Sequence, residues 1–443
     1  MATSHSSRER LLSALNRREP DHVPCSFMLY NGLKATCADY RDFIMRQVAL
    51  GLDPYVQIPP RPPIVINDHY NLHGLPVTFD PRITVREWIE RPTAGENPLM
   101  IKEYHTPAGV LRAEVAQTSD WRWGNHLPFL DDYIIPRSRK FPVAEPSDLE
   151  PLSYLLAPPN AEEEATFRRV ALDYTAFARA HGLLLAGGWG VGADMLGWLM
   201  GLGNLVFDVY DRPGFVHAVL DLIAAWNARR MQLVLEAGVD LYIKRAWYEN
   251  CDFWTPAAWS EFLKPVLKRE ANLAHQHGAL FGYIITSNCM PLLGQIAETG
   301  IDTVIGVDPH TWDLPAVKAK LGGKVCLWGG VNGHLTVEQG RPEDIRNEVR
   351  RALELLAPGG GFVLSPVDNV RIDSEQSRAN VQVLLEEWRN PELAATPPMG
   401  WNRQILNHCT TAAWPWSSST GGKARPISAV IGAPSGWAPV RRR

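Results

Sequence analysis

The chain has 443 residues, 45% of them hydrophobic and 21% charged, enough to bury one large core or two ordinary ones. A net charge of −4 argues against a general nucleic-acid surface, and no apolar run approaches the length of a membrane span. The first residues lack the apolar core of a signal peptide, and the cysteines at 25, 37, 251, 289, 326 and 409 form no CxxC pair, so reduced thiols in a cytoplasm are expected.

In chain order, Arg8–Asn16 reads as a helix with Leu11, Leu12 and Leu15 on one face, and Glu19-Pro-Asp-His-Val-Pro24 breaks it. Cys25–Tyr30 and Asp53–Ile58 read as two weak strands. Residues 59–150 are Pro-rich with isolated strand-like pieces such as Ala108–Gln117, and are expected to be an irregular insertion over one end of the fold.

A clear alternation follows. Short apolar runs (Leu183–Ala186, Leu241–Ile243, Leu280–Ile285, Thr303–Val307, Val325–Trp328, Phe362–Leu364) are separated by helical stretches over Ala161–His181, Arg212–Glu236, Pro256–His277, Pro291–Glu298, Leu314–Leu321, Pro342–Leu356 and Ser374–Trp388. Strands alternating with helices build parallel sheets. Six strong strands and two weak ones give eight, so the expected fold is an α/β (β/α)8 TIM barrel spanning 1–392. A doubly wound sheet would want a phosphate-binding Gly loop after an early strand, and none convinces. After Glu392 there is no acidic residue, while six basic ones occur, which leaves −10 on the preceding chain. Residues 393–443, basic and without periodicity, are expected to be a disordered tail.

In such folds chemistry sits where strands end. Lys244-Arg245-Ala-Trp247-Tyr248-Glu249-Asn250-Cys251 follows one strand. Arg245 is a candidate for gripping a substrate carboxylate, Glu249 for acid/base work, and Trp247 and Tyr248 for substrate contact. Thr286-Ser287-Asn288-Cys289 precedes a helix N-terminus, so Thr286 and Asn288 are candidates for binding an anionic group; Tyr283 is expected to face the pocket. Gly187-Gly-Trp-Gly-Val-Gly192 suits close backbone approach to a planar ligand, with Trp189 for stacking and Asp194 as a nearby carboxylate. Asn332 ends a further run as a hydrogen-bonding group.

Arg8-Glu-Arg-Leu-Leu-Ser-Ala-Leu-Asn16, Glu19-Pro-Asp-His-Val-Pro24, Gly278–Leu293, Gly300-Ile-Asp-Thr-Val304, Gly329-Gly-Val-Asn332 and Gly360-Gly-Phe-Val-Leu-Ser-Pro366 together resemble the uroporphyrinogen decarboxylase superfamily. The resemblance implies an α/β barrel and either tetrapyrrole decarboxylation or zinc-dependent methyl transfer from a corrinoid. Where the methyltransferases carry His-x-Cys and a later Cys, this chain has Ile284, Thr286 and Asp368, so the usual zinc site is not expected. The decarboxylases' Arg-rich motif is absent from Cys25–Lys34. Asp368, where the family places a ligand or a His, becomes a candidate catalytic carboxylate, with Asn369 as companion.

The expectation is therefore a uroporphyrinogen decarboxylase-like lyase, using Asp368, Glu249 and Arg245 for carboxylate-assisted decarboxylation of an acidic tetrapyrrole or related aromatic substrate. The alternatives are a corrinoid-linked methyltransferase or demethylase with an altered metal site, and a barrel that binds a tetrapyrrole or corrinoid without turnover. Zinc and a corrinoid are the cofactors the resemblance admits. A small-molecule substrate, a corrinoid protein and a second copy in a homodimer are the partners it admits; no nucleic acid and no membrane are expected.

Overall fold

The computed structural model describes residues 5–59, 78–91 and 95–390. The expected tail, and residues 60–77 of the expected insertion, lie outside the described residues. Seven parallel strands form one sheet in the order β1-β6-β7-β8-β9-β10-β11: Tyr55–Ile58 (β1), Leu184–Gly190 (β6), Leu241–Arg245 (β7), Leu280–Ile284 (β8), Thr303–Val307 (β9), Cys326–Asn332 (β10) and Phe362–Val367 (β11). The sheet curls. Residues 24–26 meet one edge strand, β11, and Asp53, two residues before the other, β1. The Leu364 N–H donates to Pro24 O at 2.9 Å, the Ser26 N–H to Leu364 O at 3.0 Å, and the Asp53 N–H to Cys25 O at 2.8 Å. Of the expected first strand, Cys25–Tyr30, only the Cys25 bridge to Leu364 is β-paired.

Period-two alternation sorts the side chains into two layers. Leu184, Ala186, Leu241, Ile243, Ile284, Ile305, Trp328 and Val363 fill the inside of the curl. Leu185, Tyr242, Phe281, Tyr283, Val304, Leu327 and Leu364 face the surrounding helices. The strand starts are plugged by the first helix, Ser7–Leu15, whose Leu11, Ala14 and Leu15 join the inner cluster. A capping box between Ser6 and Glu9 starts that helix. Its Arg8 fastens it below the sheet through Asp240, at 2.8 and 3.1 Å. The strand-end side of the curl is left for function.

The insertion is more regular than expected. Thr84–Glu90 (β2), Leu99–Thr106 (β3), Gly109–Ala116 (β4) and Ser138–Lys140 (β5) form a four-stranded antiparallel sheet. Charged residues on β3 and β4 conceal the pattern in sequence. They satisfy one another, Arg112 bonding Glu103 at 3.0 Å and Glu114 at 2.8 Å. Met100, Val115, Trp121, Trp123, Leu127 and Ile134 form a small core of their own. Two helices, Ala193–Met200 and Leu202–Asp211, follow β6 where the sequence was read only as a glycine-rich turn. None of the described helices is long and apolar enough to cross a membrane.

Leu11→Ala should cost about 2–5 kcal/mol in urea unfolding, because it empties the plug beneath the inner cluster. Leu172→Ala, at a residue that is 72% exposed, should cost less than about 0.5 kcal/mol. Equal losses would contradict the plug.

Candidate active site

β7 continues the inner row Leu241, Ile243 into Arg245 and sends Lys244 to the outer layer. Arg245 is 2% exposed. Its Nη2 donates to both oxygens of Asp132 at 2.8 Å, and its Nε lies 3.2 Å from Asp194 Oδ2. Trp198 and Trp247 cover the guanidinium at 4.6 and 4.1 Å from their ring centres. The guanidinium expected to grip a substrate carboxylate is thus already engaged by two carboxylates of the chain.

Asp132 is the residue that sequence reasoning missed. It lies between β4 and β5 of the antiparallel sheet, as the second of two acids inside the apolar stretch Leu127–Ile135. Two adjacent carboxylates in such a stretch were the available signal. Besides Arg245 it accepts from Trp198 Nε1 and Tyr248 Oη, both at 3.0 Å, yet its side chain remains 40% exposed. Desolvation alone would raise its pKa, but Arg245 and the Trp198 and Tyr248 donors hold it below the ordinary value. Asp194, by contrast, is fully buried. It accepts the Trp247 and Tyr248 backbone N–H groups at 3.2 and 2.7 Å and so shapes the β7 loop. Burial pushes its pKa up to about 6; Arg245 opposes the rise and Glu249 adds to it.

The outer layer holds a second, enclosed network. Lys244 Nζ donates to Glu270 at 2.7 Å, and Asn227 donates to the same carboxylate at 3.1 Å. Burial would lower the Lys244 pKa, but Glu270 and then Glu249 outweigh it and raise it. Glu249 is 0% exposed. It accepts the Ala193 N–H at 2.9 Å and the Tyr283 hydroxyl at 2.6 Å. Glu249 and Tyr283, expected to face the pocket, instead face this layer because Tyr283 lies on the outer side of β8, in register with Lys244. The glycines before Ala193 serve the same network. A Cβ on Gly192 would stand 2.4 Å from Glu249 Oε1, so the close approach expected for a planar ligand is made to Glu249. Trp189 is fully buried in the inner cluster, edge-on to Trp247 at 6.0 Å.

The remaining strand ends share the same rim. Thr286 is half-buried and Asn288 exposed after β8. Asn332, ending β10, donates to Asp308 at 2.9 Å and accepts the Leu335 N–H at 2.7 Å, so it positions Asp308 and caps a turn. Asn369 accepts the Asn31 N–H at 3.2 Å and fastens residues 27–31 to the rim. Asp368 is exposed and held at φ +67°. Solvent reaches it, yet the surrounding walls partly desolvate it and raise its pKa. Arg371 opposes that rise, while Glu338 and Asp308 add to it. Beside the Asn31–Asn369 link opens a cleft lined by Phe27, Tyr30, Lys34, Phe43, Tyr55 and Gln57 among others.

The donor set does not fit a thiolate zinc site. Cys289 is buried, donates to Thr286 O at 3.3 Å, and burial pushes its thiol far above the usual range. Among the described residues no three His, Cys, Asp or Glu side chains are grouped to hold a metal ion.

The family model described as uroporphyrinogen decarboxylase (URO-D) matches residues 123–390, a span that contains Asp132, Asp194, Arg245 and Asp368. The uroporphyrinogen decarboxylase of Pseudomonas fluorescens (strain Pf0-1) is 30% identical over 184 residues, covering 40% of this chain and 50% of that protein. That of Hydrogenovibrio crunogenus is 29% identical over 191 residues, with the same coverage. The chain spans about half the length of the curated relatives it matches. A methyltransferase from Methanosarcina mazei has a similar structure, with a TM-score of 0.55 at 17% identity over 88% of this chain and 100% of that one. At that identity the likeness is one of fold.

Asp194 yields a pH prediction. Its carboxyl titrates near 6 when folded and near its ordinary 3.8 when unfolded. Between these values the folded chain keeps a proton that the unfolded chain has released. The stabilisation is complete below about pH 4 and is lost as pH rises through about 6. Urea midpoints of the wild type should therefore fall relative to those of Asp194→Asn across that window. Parallel curves would contradict the assignment.

Proposed function

The chain belongs to the uroporphyrinogen decarboxylase family, and on that premise we propose that it is a carboxy-lyase acting on an aromatic carboxylic acid at the strand-end mouth of a closed eight-stranded (β/α)8 barrel. The observation that carries this reading is the placement of two solvent-reached carboxylates on one rim in opposed surroundings, Asp132 bonded to the Arg245 guanidinium and Asp368 near the acids Glu338 and Asp308. Asp132 is held below its ordinary pKa and stays ionised; Asp368 is raised and keeps a proton more readily. Environments that push two carboxyls apart assign acid and counter-charge.

Asp368 then protonates a ring carbon of the substrate, and positive charge develops on the ring. The ionised Asp132 stabilises that charge. The bond to the carboxylate breaks, its electrons return to the ring, and carbon dioxide leaves. Asp368 recovers its proton from solvent. The aromatic cleft beside Asn31 is suited to the substrate ring. Arg245 acts through Asp132 as a positioning residue, and Glu249 with Lys244 braces the loop from behind. Asn332 and Asn369 position the rim, Trp247 and Tyr248 form the wall above Arg245, and Thr286 and Asn288 lie on the substrate side. Methyl transfer through a thiolate-bound zinc receives no support from the donor set, and the likeness to a methyltransferase is one of fold alone.

The test is carbon dioxide release from a panel of pyrrole and benzenoid carboxylic acids. Asp368→Asn keeps the shape, and Asn tolerates the left-handed backbone as Asp does. It should lower kcat roughly 10²–10⁴-fold and raise KM roughly tenfold, since Asp368 also helps to hold the substrate. Unchanged kcat would remove Asp368 from the mechanism.

A further inference from the structure

The polarity of the Arg245 ion pair carries an inference about the substrate. The pair is oriented, with its cation 2% exposed and its Asp132 side chain 40% exposed toward the mouth. The rings of Trp198 and Trp247 lie against the guanidinium. What the mouth shows on the β7 side is therefore the negative end of a buried pair. On the β11 side it shows Asp368, which is exposed. Between them, Asp308 follows β9, where Asn332 holds it at 2.9 Å. The other guanidinium near Asp368 is that of Arg371, and Glu338 binds it at 3.1 Å. The neighbouring cleft, which Lys34 also lines, offers aromatic faces that attract cations and neutral rings.

A substrate with many carboxylates would meet like charge across this opening, with its described arginines already paired. A cationic nitrogen would meet the ionised Asp132, would donate a hydrogen bond to Asp368, whose carboxyl oxygen accepts in either protonation state, and would face aromatic rings. We propose that the substrate presents a positively charged nitrogen to Asp132 and Asp368, so that the site selects a zwitterionic aromatic acid that carries this nitrogen beside its one carboxylate, and rejects polycarboxylates. The proposal rests on the reading of the strand-end mouth as the active centre and names the charge of what binds there. It also fits the chemistry, since a site built to receive a cation also stabilises one that forms during reaction.

The experiment is titration calorimetry on the full chain with three probes: benzyltrimethylammonium, phenylacetate and uroporphyrin, the last a polycarboxylate. The ammonium probe should bind most tightly, and more tightly still as salt is lowered. Asp132→Asn and Asp368→Asn should each weaken it roughly tenfold or more, about 1.4 kcal/mol per tenfold. Asp368 is exposed, so its variant remains informative should Asp132→Asn disturb the Arg245 cluster; circular dichroism checks the fold of both. If phenylacetate or uroporphyrin binds more tightly than the ammonium probe, and either variant strengthens that binding, the charge assignment is overturned while the mouth stands. If no probe responds to either folded variant, the mouth itself is not the binding centre, and both readings fall.

Discussion

One buried guanidinium ties the working end of this molecule together. Arg245 ends β7 on the inner side of the curl, where continued apolar packing would otherwise be expected. It draws Asp132 in from the insertion, Asp194 and the Trp198 ring from the helix after β6, and the Trp247 ring from its own strand-end loop. Three segments distant in sequence thus meet at one charge. A charge this far from water is tolerated only with partners in good geometry, so the cluster forms together or not at all. Trp198 Nε1 and Tyr248 Oη, both bonded to Asp132, complete the ring around that carboxylate.

The alternation of β7 explains why two neighbouring cations have unrelated tasks. Lys244 points outward and is consumed by Glu270 and Glu249 between sheet and helices. Arg245 points inward and supports the mouth. Tyr283 lies on Lys244's side for the same reason, and Gly192 exists as glycine so that the backbone can pass close to Glu249. The outer network braces the rim, and the inner cluster presents Asp132 to solvent. This division follows from the two-residue repeat of a strand.

Much of the fold was legible in the sequence where the punctuation was strong. The helices Leu314–Leu321 and Pro342–Leu356 have the expected bounds, because proline and acidic residues mark the start and glycine follows the end. Strand ends were less legible. β6, β10 and β11 extend past their apolar runs through Gly188–Gly190, Gly329–Asn332 and Ser365–Val367, residues buried by the sheet rather than by their own hydrophobicity. The strand-end rule pointed to Arg245, Asp194 and Asp368 but said nothing of what already occupied them. Counting by twos from Leu241 would have placed Arg245 inside and Lys244 outside, and from Leu280 would have turned Tyr283 away. Asp132 escaped because its segment carries no periodicity, and only the folded insertion brings it to β7.

The central claim is that Arg245 and Asp132 form one unit, buried at its positive end and open at its negative end. A double-mutant cycle with Asp132→Asn, Arg245→Met and the double variant measures that unit directly. The account predicts a coupling of roughly 2–3 kcal/mol in unfolding free energy, with Asp132→Asn alone the most harmful because it leaves a buried guanidinium short of a partner. Single losses that add to within about 0.5 kcal/mol would mean that the two side chains act independently, and the account of the mouth built on them would be wrong.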